Sequence, residues 1–158
     1  MSQYSLAWEP LTKLLDEGLE DLLFAHWKEV ALDQERIPLA PDWSRALTLE
    51  HQKILYTAAL RDNGRIVGYN SFHVRPHIHY RHTLHAVTDV VYVAPYARGF
   101  AGVRLVKGTE AMLKALGVVK VIYHTKLHLT YRGKTVGDLL EKLGYAPFET
   151  LYCKMMEP

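Results

Sequence analysis

The sequence predicts an α/β domain on three observations. A β-branched run ending at Val93 enters a basic, glycine-containing turn and then an amphipathic helix, and a second β-branched run follows that helix. A strand, crossover helix and strand in this order pair in parallel. Farther upstream, two strand-like runs meet at Asp62-Asn63-Gly64, a hairpin signal because Asn and Gly accept the positive φ of a tight turn. Before the hairpin, Leu15 to Val30 carries helical periodicity.

Taken in order, Tyr4 to Trp8 reads as a short first strand. Leu15, Leu19, Leu22, Leu23, Ala25, His26, Trp27 and Val30 then set an apolar stripe at helical spacing, with Glu20 and Lys28 on other faces. Asp33 to Asp42 is irregular, since Pro38 and Pro41 lack the donor a helix interior needs. A further helix begins near Asp42 or Ser44, either of which can cap it. The hairpin strands are Ile54 to Leu60 and Arg65 to Phe72, and a histidine-rich loop with Pro76 leads to the strand from Leu84 to Val93. Leu105, Val106, Thr109, Met112, Leu113 and Leu116 mark the crossover helix, which Gly117 ends as a left-handed cap. Val118 to Thr125 is the parallel strand; Val136 to Leu143 is a short helix closed by Gly144; Phe148 to Met156 is the last strand.

The chain has 158 residues, read as one domain over 1–158, with no repeat or flexible linker dividing it. No apolar run approaches the ~20 residues needed to span a bilayer, and no basic-then-hydrophobic leader opens it, so the reading is a soluble cytoplasmic protein. A formal charge of +2 argues against nucleic acid as partner, because phosphate-backbone binding shows a concentrated basic face. Basic residues do gather at Arg75 to Arg81 and at Lys126 to Lys134, as solvated loops or as a local positive rim. Cys153, the single cysteine, has no internal partner and reads as a small buried or edge residue. His73, His77, His79, His82 and His85 invite a metal reading, yet no Cys pair or His-Glu-x-x-His helix accompanies them, and no metal site is expected.

The turn after Val93 has the chemistry of an anion site. Backbone N–H groups at a helix start and the helix dipole favour phosphate; Gly99 and Gly102 permit close approach of the main chain, and Arg98 adds positive charge. Tyr92 to Lys107, Ala115-Leu-Gly-Val118 and Leu140-Glu-Lys-Leu-Gly-Tyr145 together resemble the acetyl-coenzyme A binding core of the GNAT family of N-acetyltransferases. Through segments such as His26-Trp-Lys-Glu29, Arg65-Ile-Val-Gly-Tyr69 and Glu149-Thr-Leu-Tyr-Cys-Lys154, the chain is similar to the small GNAT proteins of bacteriophages, which would place it in the host cytoplasm. The resemblance implies a mixed, twisted central sheet flanked by helices, with central strands splayed so that pantetheine enters between them. It also implies acetyl-CoA as cosubstrate and an amine-bearing acceptor, and it is compatible with a homodimer. Main-chain groups of Val91, Tyr92 and Val93 would pair with the pantetheine amides. Arg98, Gly99, Phe100, Ala101, Gly102 and Val103 would form the diphosphate cradle. The family pattern has Gly four and Gly or Ala six places along this loop, counted inclusively from the Arg or Gln; here those places hold Ala101 and Val103.

The implied reaction is direct transfer of acetyl to an amine. A lysine-like amine of pKa about 10.4 is only about one part in a few thousand neutral at pH 7, so a base or water relay must remove a proton. The leading candidate is Asp89, on the central strand just before the cofactor segment, where it alternates with His85, Val87, Val91 and Val93 and would have a raised pKa if desolvated. Glu29 and His85 follow. His26 and Glu29, three apart on one helical face, are close enough to interact and to line an acceptor cleft. In many relatives a tyrosine just before the Glu-Lys-Leu-Gly segment protonates the thiolate; here Leu140 stands there. Leu140 and Val103 motivate the alternative, a GNAT-shaped binding module that has lost its chemistry and serves a phage particle or a host-protein contact.

Overall fold

The computed structural model describes residues 4–156. Five strands form one sheet in the order β1 (Tyr4–Trp8), β2 (Leu55–Asp62), β3 (Arg65–His77), β4 (Tyr80–Val93) and β5 (Val118–Ile122). The first four are antiparallel neighbours and β5 joins β4 in parallel, so the sheet is mixed. The parallel pair is linked by a 3-10 turn at Pro95–Ala97 and the crossover helix α4 (Phe100–Ala115). On one face α1 (Leu11–Asp16), α2 (Leu19–Val30) and α3 (Trp43–His51) cover a core that includes Leu14, Leu19, Ala59, Tyr69 and Tyr92. On the other, α4 lays Ala101 and Leu105 against Leu60 and Val67, and Leu113 against Phe72 and Ala86. The short helix α5 (Val136–Lys142) follows β5.

Local chemistry accounts for most boundaries. Asp42 caps α3 by accepting from the Arg45 N–H at 2.9 Å, and Thr135 and Asp138 form a reciprocal capping box on α5. Four expectations need correction. The single helix expected through Leu15 and Val30 is two, because Gly18 adopts φ +93° between them, a conformation that costs glycine little. The histidine-rich loop is instead the end of a long β3–β4 hairpin with Pro76 inside β3. Proline is tolerated there because the Val74 N–H bonds to Ile54 O, and two residues on the same edge of β3 has passed the end of β2 and needs no donor. β5 stops at Ile122 rather than Thr125, and residues 146–156 form no strand.

A bulge in β4 sets the geometry of everything downstream. Phe72 pairs with Thr88 but Ser71 with Val90, which leaves Asp89 as the extra residue. An inserted residue shifts the period-2 alternation by one. Leu84 and Ala86 therefore face α4 before the bulge, whereas Val91 and Val93 face it afterwards. The expected single face shared by His85, Val87, Asp89, Val91 and Val93 is thus split in two.

Candidate functional site

The β4–β5 ladder ends where Val87 pairs with Ile122. Just beyond, Thr88 Oγ1 donates to Ile122 O at 2.8 Å, and β4 runs on to Val93 paired with β3 but without β5 on its other edge. Alternate residues of a strand aim their N–H and C=O groups at the same edge. Because the Ala94 N–H bonds to Val67 O in β3, the main chains of Ala94 and Tyr92 face β3, and those of Val91 and Val93 face the gap that β5 leaves. The expectation for Tyr92 is corrected accordingly: its backbone is committed to β3, and its side chain, not its amide, borders the site. The Val93 carbonyl is also taken, by Arg98 Nε at 3.0 Å.

A cavity of about 470 Å³ fills this gap. At one end lie Gly99, Gly102 and Val103 of the α4 start; at the other, His26, Glu29 and Val30 of α2, which helical spacing puts on one face, and His128. Gly99 has φ +106°, and a Cβ there would lie 3.3 Å from the Tyr131 hydroxyl. The positive φ favours glycine, and any side chain there would also crowd Tyr131. Val103 borders the cavity without filling it. Phe100 is exposed and Ala101 is buried on the sheet-facing side of α4, so neither side chain reaches the cavity that their main-chain turn borders.

Arg98 does not offer the free charge expected of it. Besides Val93 O, its guanidinium donates to Thr130 O at 2.9 Å and to Glu29 Oε2 at 2.5 Å, tying β4, the segment after β5 and α2 together. Cationic side chains with no ion pair among the described residues come instead from Arg132, Lys134 and Lys142, which line the cavity. Part of the Lys126 to Lys134 basic run is therefore a rim, one of the two readings the sequence leaves open. Glu29 also accepts from the Tyr92 hydroxyl at 3.3 Å. Burial would raise the Glu29 pKa, but the Arg98 contact outweighs it and holds the carboxylate below its usual range. A carboxylate so held is a poor proton acceptor.

His26, which the sequence marks only as a neighbour of Glu29, occupies the junction. Its ring stacks on Tyr92 with centroids 4.5 Å apart, and Nδ1 shares a 3.0 Å hydrogen bond with the Tyr69 hydroxyl. Burial lowers its pKa to about 4, leaving it neutral near pH 7. A second cavity of about 310 Å³, lined by Trp27, Leu39, Asp89 and Lys126 among others, shares His26, Val30, Val91, His128 and Val136 with the first. Asp89 is exposed at its bulge, so the desolvation expected of it is absent. His85 borders neither cavity: it pairs across to Lys120, stacks with His77 and shares a 3.2 Å hydrogen bond with Thr83. Six residues of strand separate it from Val91, about 20 Å at ~3.3 Å per residue, which removes it from the site. Tyr145 is likewise elsewhere, donating to Glu110 at 3.4 Å. Among the described residues no group of three or more His, Cys, Asp or Glu stands close enough to hold a metal ion.

No protein-family model and no curated protein sequence matches the chain. Solved structures do. An aminoglycoside acetyltransferase, meta-AAC0020, from an uncultured soil metagenomic sample, in complex with sisomicin, superposes with TM-score 0.72 at 15% identity, covering 99% of this chain and 97% of its own. A transcriptional regulator from Bacillus halodurans C-125 gives TM-score 0.71 at 19% identity over 97% of this chain and 100% of its own. AAC(6')-Iy in complex with the bisubstrate analog CoA-S-monomethyl-acetylneamine gives 0.62 at 14% identity over 99% of this chain and 100% of its own. Strand order, the parallel fork at β4 and β5, and these superpositions together show that the chain has the GNAT acyltransferase fold.

Proposed function

We propose that the protein is an acetyl-CoA-dependent N-acetyltransferase that moves an acetyl group directly to the amine of an acceptor. The observation that carries this reading is the open fork: a 470 Å³ cavity bounded by the free β4 edge and by the glycine-lined start of α4. An extended amide chain finds partners in the Val91 N–H and C=O and in the Val93 N–H. Phosphate oxygens find the Phe100 and Ala101 N–H groups at the α4 start, Gly102 N–H being bonded to Gly99 O, and the charges of Arg132, Lys134 and Lys142. Bound acetyl-CoA supplies an activated acyl group, the thioester.

Acceptor and acyl group meet where the two cavities share His26 and His128. The amine nitrogen forms the amide bond as the thioester C–S bond breaks. One amine proton ends on the departing sulfur, and the proton of the original ammonium goes to solvent. In this reading His26, neutral and with Nδ1–H donating to Tyr69, accepts at Nε2 a hydrogen bond from the attacking amine or from a water, and that water carries the proton on. Glu29 and Arg98 hold Tyr92 and α2 in place, and Asp89 faces the acceptor. The cytoplasm, and a phage gene as source, are the setting that the sequence resemblance suggests.

Isothermal titration with acetyl-CoA, followed by thiol release with a panel of amines, tests the reading. Binding in the micromolar range and amine-dependent release support it; no binding favours the inactive module. His26→Gln should lower kcat by about 10²-fold while leaving acetyl-CoA affinity unchanged. For the wild type, kcat/KM should rise with pH from 6 to 9 as the amine deprotonates, with no break near 6.5, because the His26 pKa of about 4 lies well below that range. A break there, abolished in His26→Gln, would show that the imidazole titrates in turnover.

A further inference from the structure

We propose that the second cavity takes a small primary amine bearing one positive charge and an apolar body, and that it disfavours polycations; this rests on the acetyltransferase reading above. At about 310 Å³ the cavity lies at the low end of the ~300–1,000 Å³ range of ligand pockets. One wall is apolar: Leu23 and Trp27 of α2, with Leu39 and Val90. The Trp27 indole is braced by stacking on Phe24 at 5.8 Å.

Charge decides the class of acceptor. Asp89 is the one carboxylate among the lining residues. The bulge that makes it the extra residue of β4 also places it at this wall, beside Val90 and Val91. Trp27 and Asp89 together can hold one ammonium, the ring face by cation–π attraction and the carboxylate by a charged hydrogen bond. Each further positive charge on an acceptor would find no second carboxylate. It would meet Lys126, whose Nζ donates to Val30 O at 3.1 Å, and the imidazoles of His124 and His128. The adjoining cavity offers no relief, because Glu29 is paired with Arg98 and Asp138 caps α5. An unpaired cation placed there is repelled and desolvated without compensation.

The test compares 2-phenylethylamine with spermidine and kanamycin in the thiol-release assay with acetyl-CoA. The expected result is a kcat/KM at least tenfold higher for 2-phenylethylamine. Asp89→Asn should raise its KM about tenfold with acetyl-CoA affinity unchanged. Binding is also read without the cosubstrate: 2-phenylethylamine should shift the amide resonances of Trp27 and Asp89 in a heteronuclear NMR titration, and Trp27→Leu should weaken that binding about tenfold. Faster turnover of spermidine or kanamycin, or no effect of Asp89→Asn on KM, overturns the assignment. Should acetyl-CoA fail to bind while 2-phenylethylamine still perturbs these residues, the transferase reading falls and the amine site stands. Acetyl-CoA binding combined with a preference for polycations does the reverse: the transferase reading stands and the amine site falls.

Discussion

Burial against Tyr92 and Tyr69 keeps the His26 imidazole neutral in the folded protein, with a pKa of about 4 against an ordinary 6.5. The unfolded chain binds that proton more tightly, so stability is complete above about pH 6.5 and falls as pH drops toward 4. At 1.36 kcal/mol per unit the loss by pH 4 is about 3 kcal/mol. Glu9 titrates lower: its hydrogen bond to Arg61, with Lys13 assisting, outweighs burial and holds its pKa near 2. Its contribution is present above about pH 4.5 and disappears toward pH 2. Urea unfolding measured from pH 7 to 4 should therefore show a decline that His26→Gln flattens; a wild-type curve level over this interval would refute the assignment. Helical spacing shows His26 on the same face as Glu29 but cannot show that Tyr69 and Tyr92, from two other strands, enclose it. Alternation puts Asp89 on the wrong face for a related reason: a single bulged residue reverses the period, and nothing in the local pattern announces it.

Most strands and helices are readable because each carries its own signal: the Asn63-Gly64 turn, the Asp42 cap, the Thr135 to Asp138 box and the glycines after α4 and α5. The misread elements depend on neighbours. Pro76 stays in β3 only because β2 has ended, and β5 stops early because Thr88 takes the carbonyl of Ile122. The diphosphate turn is legible as glycines before a helix, whereas Arg98 joining three separate segments is not. Thr88 is buried and its hydroxyl anchors the base of the fork. Thr88→Val removes that bond at similar size and leaves the Ile122 carbonyl without it, at a cost of about 1 kcal/mol. The expected outcome is a melting temperature lower by roughly 2–4 °C and a severalfold weaker acetyl-CoA affinity by titration. A stable variant that binds as tightly as the wild type would show that the fork is held open by the helices alone.

The formal charge of +2 conceals an uneven distribution, since Arg132, Lys134 and Lys142 gather at one cavity. Acetyl-CoA affinity should weaken as salt rises from 0.05 to 0.5 M, in which range the Debye length falls by about threefold, and Arg132→Ala with Lys134→Ala should blunt that dependence; unchanged salt sensitivity would place the phosphates elsewhere. The opposite side of the sheet poses a packing problem. β5 ends the strand order, so its outer edge pairs with no other strand among the described residues, and Val119 is 67% exposed. Beside it runs the segment expected as a last strand, with Phe148 under the Lys120 ammonium at 4.6 Å and Leu151, Tyr152 and Met156 exposed. An open edge flanked by apolar side chains is a template for another chain. Its simplest closure is a second copy related by a two-fold axis, which buries both edges at once and leaves no edge for a third. We predict a dimer in sedimentation velocity at tens of micromolar. Val119→Lys should shift it to monomer while leaving the far-ultraviolet circular dichroism of the folded subunit unchanged, since this side chain is exposed on the subunit. A wild-type protein that stays monomeric across that concentration range would show that the edge is protected by its own C-terminal segment instead.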